Sequence, residues 1–112
     1  MPSLEELLKV KGAVGALRFY DDGSLAESVG ELPAEHADLA ADMCSATSSM
    51  MIQEADLFAA YSGMRGWTPS EGWMMRGDQF SIWTVGNIAC FVSNAEVSYN
   101  ELVTALSRLA HR

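Results

Sequence analysis

The sequence predicts an α+β domain with the element order αββαβββα, and three observations carry that prediction. The stretch from Pro33 to about Tyr61 contains no internal Gly or Pro, enough for one helix of about 40 Å. The dipeptides Gly77-Asp78 and Gly86-Asn87 are two-residue hairpin signals that divide the residues after Gly72 into three short strands. Two Ser-x-x-Glu patterns, Ser3 to Glu6 and Ser98 to Glu101, mark helix starts near the two ends.

Ser3-Leu4-Glu5-Glu6 reads as a capping box opening a short helix through about Lys9. Val10 to Tyr20 is rich in Val, Ala, Leu, Phe and Tyr, and Gly12 and Gly15 interrupt it, so it reads as a strand with a bulge or a close backbone approach. Asp22-Gly23 turns the chain into a second strand from about Leu25 to Val29. For the long helix, Pro33 suits the first turn, Glu35 favours the positive end of the dipole, and Gly63 suits the residue after the C-cap. Residues 62–72 are too rich in Gly and Pro for regular structure. Strands follow at Trp73 to Arg76, Phe80 to Val85 and Ile88 to Val92. Ser98 to Glu101 caps a last helix, with Val97 and Leu102 as a hydrophobic staple and Leu102, Ala105, Leu106 and Leu109 as its apolar face. Arg108, His111 and Arg112 suit its negative end.

The long helix carries two apolar stripes. Ala37, Ala41, Cys44, Met51, Ala55 and Ala59 fall on one side, with Ile52 and Phe58 at its margins. Leu39, Met43, Ala46, Met50 and Leu57 fall on nearly the opposite side, with Gln53 as an interruption, and Asp38, Ser45, Ser49 and Asp56 form a polar strip between the two. The first stripe can cover a sheet, whereas the second has the narrow spacing of a seam between helices. The chain supplies no other long helix for that seam, so a second copy or a partner protein covers it.

At 112 residues, 49% hydrophobic and 20% charged, the chain is predicted to form one globular domain spanning 1–112. No apolar run reaches membrane-spanning length, and the acidic N-terminus lacks the features of a secretory signal, which predicts a cytoplasmic location. The net charge of −8 argues against nucleic acid and acidic membranes as partners. Nine Asp or Glu and no Lys or Arg lie between Arg18 and Arg65, a solvated acidic face or a docking surface for a basic partner. Cys44 and Cys90 occupy apolar positions and read as buried free thiols. No phosphate-cradling glycine loop, CxxC, HxxxH or calcium-loop pattern is present, and His36 and His111 stand in no nucleophile constellation. The expectation is therefore a protein with no catalytic residue, no metal and no cofactor.

Leu4, Leu7 and Leu8, the run Gly12 to Ala16, the Asp21-Asp22-Gly23 turn and the Val85-Gly86-Asn87 hairpin, in this order and spacing, resemble the roadblock family of dynein light-chain type domains. The segment from Ser62 to Trp73 is similar to that of a small, single-domain prokaryotic branch of the family. The resemblance implies a profilin-like fold, a five-stranded antiparallel sheet with helices on both faces. It also implies a homodimer in which central helices pack antiparallel and middle strands join across the subunits. Relatives serve as platforms for small Ras-like GTPases or as adaptors in larger assemblies.

The functional expectation is a non-enzymatic homodimeric interaction module, a platform for a small Ras-like GTPase or a larger assembly. Leu39, Met43, Ala46, Met50 and Leu57 are its expected dimer interface. The expected partner-binding residues are Tyr61, Arg65, Trp67, Trp73 and Arg76, because Trp, Tyr and Arg dominate binding hot spots. The alternative is a small-ligand sensor or carrier whose Trp67/Trp73 loop closes over an apolar molecule, and a third reading is a redox enzyme using Cys44 and Cys90.

Overall fold

The computed structural model describes residues 3–32 and 34–110. The expectations for Pro33, His111 and Arg112 lie outside the described residues. A 3-10 helix at Leu4–Lys9 leads into β1 (Ala13–Phe19) and β2 (Leu25–Gly30), followed by α1 (Ala34–Ser62), β3 (Gly72–Arg76), β4 (Phe80–Val85), β5 (Ile88–Ser93) and α2 (Tyr99–Ala110). The strands form one antiparallel sheet in the order β2-β1-β5-β4-β3. The 29-residue α1 lies on one face, over β1 and β2 and touching β3. The 3-10 helix and α2 cover the other.

Each face has its own core. Leu4, Leu7, Val10, Ala16, Ile88, Cys90, Val92, Leu102, Leu106 and Leu109 form one cluster beneath α2. Leu17, Phe19, Ala41, Cys44 and Ala89 form the other beneath α1. Side chains alternate across a strand, so neighbours such as Ala16 and Leu17, or Ala89 and Cys90, feed opposite cores. Full burial of a leucine contributes about 1.5–3 kcal/mol, which makes the stripe of Leu102, Leu106 and Leu109 the anchor of α2.

Three local readings are corrected. The first helix is 3-10 rather than α, because the Ser3 side chain makes no cap hydrogen bond and six residues are too few to sustain α-helix unaided. By contrast, the Ser98 hydroxyl accepts a hydrogen bond from the Glu101 N–H at 3.4 Å, and α2 starts where its capping box places it. The β3–β4 turn is shifted by one residue: the Gly77 N–H donates to the Phe80 carbonyl at 2.8 Å, which puts Asp78-Gln79 rather than Gly77-Asp78 at the tip. The Gly86-Asn87 turn stands as read, between the paired Val85 and Ile88, with φ +59° at Gly86, which a side chain would resist. Ser45, assigned to the polar strip, is buried and donates to the Asp21 carbonyl at 3.3 Å. Its hydroxyl found a partner on the β1–β2 turn, so it could join the sheet-facing side.

Candidate functional site

The sheet-facing stripe of α1 is occupied as its spacing requires: Ala37, Ala41, Cys44 and Ala55 are buried, and Met51 and Ala59 half-buried. The opposite stripe is bare. Leu39, Met43, Met50 and Leu57 are 59%, 55%, 59% and 63% exposed, and Ala46 between them is exposed as well. Large apolar side chains at these exposures, in a row broken by Gln53, form the kind of patch that a lone soluble domain seldom leaves uncovered.

The row continues onto the sheet. α1 leaves an apolar cleft of about 150 Å³ beside β3, walled by Leu39, Met43, Trp73, Met75, Ile82 and Phe91. Trp73 bridges the two walls, its indole Nε1–H donating to Ser48 Oγ at 2.8 Å. Beyond it β3 is an edge strand carrying exposed Met74 and Met75. The hydrogen bonds from Gly77 N–H to Phe80 O and from Gly86 N–H to Glu71 O set the phase of the ladder. Residues 71, 73, 75 and 77 turn their backbone groups towards β4. The N–H and C=O groups of Gly72, Met74 and Arg76 therefore point outward, unpaired. An apolar edge without Pro, Lys or a bulge is a template for another strand. Gly72 is needed at its start, because an added Cβ would collide with the Thr84 carbonyl.

The expected recognition residues do not form one surface. Tyr61 is 91% exposed and Arg65 is exposed. Trp67 stacks on Phe58 with ring centroids 4.8 Å apart. Trp73 faces α1, whereas Arg76, three residues along the same strand, lies on the α2 face. There its guanidinium sits 6.0 Å from the centre of the Tyr99 ring, which stacks on Trp83. The two tryptophans also do not close over one cavity. Trp73 walls the cleft beside α1, and Trp67 walls a separate groove between α1 and residues 66–72.

Cys44 and Cys90 are free and buried. Desolvation pushes the Cys44 thiol up to about 11, with Thr84 pulling weakly the other way, and pushes Cys90 up to about 12. The thiolate is the reactive form, so both groups are poor nucleophiles near neutrality. Raised folded-state values mean that the native state holds these protons longer than the unfolded chain. Their contribution is complete below about pH 9 and is lost as pH rises through 11 and 12. At pH 8 a thiol reagent should label neither cysteine quickly in native protein and both after denaturation; fast native labelling would restore the redox reading. Among the described residues no cluster of three or more His, Cys, Asp or Glu is placed to hold a metal, and no helix is long and apolar enough to cross a membrane.

The architecture is that of known structures. The Roadblock/LC7 domain from Streptomyces avermitilis superposes with a TM-score of 0.80 at 14% identity, covering 94% of this chain and 85% of that one. MglB from Myxococcus xanthus gives 0.72 at 13% identity, with 96% and 83% covered. An MglB described as having a tetrameric arrangement gives 0.75 at 17% identity, with 96% and 79% covered. These likenesses establish the roadblock fold. Residues 3–108 match the family described as Uncharacterized conserved protein (DUF2173). No curated protein matches the chain in sequence.

Proposed function

The chain belongs to the DUF2173 family and has the roadblock fold, and from that premise we propose a cytoplasmic, non-enzymatic homodimeric module that presents a docking platform to another protein. The observation that carries this reading is the bare apolar row that runs from α1 across the cleft to the unpaired edge of β3.

A second copy fits that surface by symmetry. The seam positions 39, 43, 46, 50, 53 and 57 have spacings that read the same in both directions about position 48. An antiparallel copy of α1 therefore sets Leu39 against Leu57, Met43 against Gln53 and the small Ala46 against the large Met50. The outward groups of β3 are likewise symmetric, about Met74. An antiparallel copy of β3 centred there pairs Met74 with itself and Gly72 with Arg76, adding about six backbone hydrogen bonds. One two-fold axis must serve both pairings. The hydrogen bond from Trp73 to Ser48 supports this, because it brings the middle of α1 beside the middle of β3.

The choice of a small Ras-like GTPase, or a component of a larger assembly, as the docked protein follows from the family resemblance, and the tetrameric relative is consistent with self-association. Tyr61, Arg65 and Trp67 remain available to such a partner. The experiment that tests the module is cross-linking. In the proposed pair the two Met74 Cα atoms lie about 5.5 Å apart, within disulfide reach, so Met74→Cys should oxidise to a covalent dimer. Met75→Cys, which faces Trp73 of the other copy, should not. Equal cross-linking at both positions, or none at position 74, would refute the pairing.

A further inference from the structure

The groove walled by Trp67 runs between α1 and residues 66–72, apart from the cleft beside β3. Its volume is about 550 Å³, within the range of ligand and peptide sites. Glu54 stands on the helix wall and Glu71 on the loop wall, and no Lys, Arg or His lines it. The only ion pair among the described residues is Arg18 with Glu27, so neither Glu54 nor Glu71 is paired with a described cation. The floor includes Met51 and Ala55, and the mouth carries the Phe58–Trp67 stack. Phe58 and Trp67 are 47% and 43% exposed, which leaves ring surface uncovered outside the stack.

We propose that this groove receives a lysine or arginine side chain from an extended segment of the partner protein. A cation between Glu54 and Glu71 is attracted by both carboxylates and by the negative face of the Trp67 ring. The aliphatic stem of the same side chain matches the apolar floor of Met51 and Ala55. A neutral apolar ligand would instead face two charged walls at the cost of their hydration. The surrounding acidic stretch favours approach of a basic segment, and the groove fixes where it lands. The proposal rests on reading residues 61–76 as a recognition segment.

The test is a titration of the intact protein with an acetylated, amidated Ala-Arg-Ala-Arg-Ala peptide at low salt, followed by amide and indole NMR shifts. Saturable shifts should centre on residues 51–58 and 66–72 and include the Trp67 indole. Glu54→Gln, Glu71→Gln and Trp67→Leu should each weaken binding about fivefold. Binding by Trp67→Phe should be largely retained. The same peptide with Gln for Arg should not bind. Unchanged affinity in both Gln variants, equal binding of the Gln peptide, or shifts centred on the acidic residues 31–42 would each overturn the groove. The Met74→Cys cross-link decides the module reading separately, so a failure of one is not a failure of the other.

Discussion

Met50→Asp should split the proposed dimer. Met50 lies 59% exposed in the middle of the outer stripe of α1, and in the proposed antiparallel packing it faces Ala46 of the other copy, close to the two-fold axis. The substitution buries two carboxylates near one another with no cation at hand, since α1 carries no Lys or Arg. An uncompensated buried charge costs about 3–5 kcal/mol, which corresponds to a dissociation constant raised by more than about a hundredfold. The monomer itself should fold normally, because the side chain touches neither core. Sedimentation velocity and far-ultraviolet circular dichroism together read both quantities. A variant that remains dimeric would place the interface on another face.

Trp73→Ala should have the largest effect on folding stability among the aromatic substitutions in residues 61–76. The indole packs against the cluster beneath α1 and ties the middle of that helix to the edge strand through Ser48. Truncating a core aromatic costs about 3–5 kcal/mol, and a half-buried one with a hydrogen bond about 2–4 kcal/mol. Against a total of about 5–15 kcal/mol for a typical domain, urea unfolding should show a clear loss. Trp73→Phe, which keeps most of the packing and loses the N–H donor, should cost about 1 kcal/mol. An unchanged unfolding midpoint in Trp73→Ala would make Trp73 a recognition residue with no structural duty.

Much of the fold was legible because its signals are local. The Gly86-Asn87 turn, the capping box at Ser98 and the uninterrupted run of α1 each depend on residues adjacent in sequence. The outer stripe of α1 was legible for the same reason, as a helical period of apolar residues with no element to cover it. The 3-10 helix was not, because a capping-box pattern records a potential bond that the Ser3 side chain does not make. How the expected recognition residues are distributed was not legible, because Trp73 to Arg76 lie on a strand, in which residues three apart face opposite ways. Arg76 accordingly lies across the sheet from Trp73. The acidic groove was hidden for a different reason. Glu54 and Glu71 stand on separate elements, and only the return of the loop past Gly66 brings them together.

Self-association through the outer stripe of α1 and the edge of β3 underlies the proposed function. Sedimentation equilibrium of the unaltered chain at micromolar concentrations tests it most directly. The predicted result is a single species of twice the 12.1 kDa chain mass. A monomer that persists into the high micromolar range would contradict it.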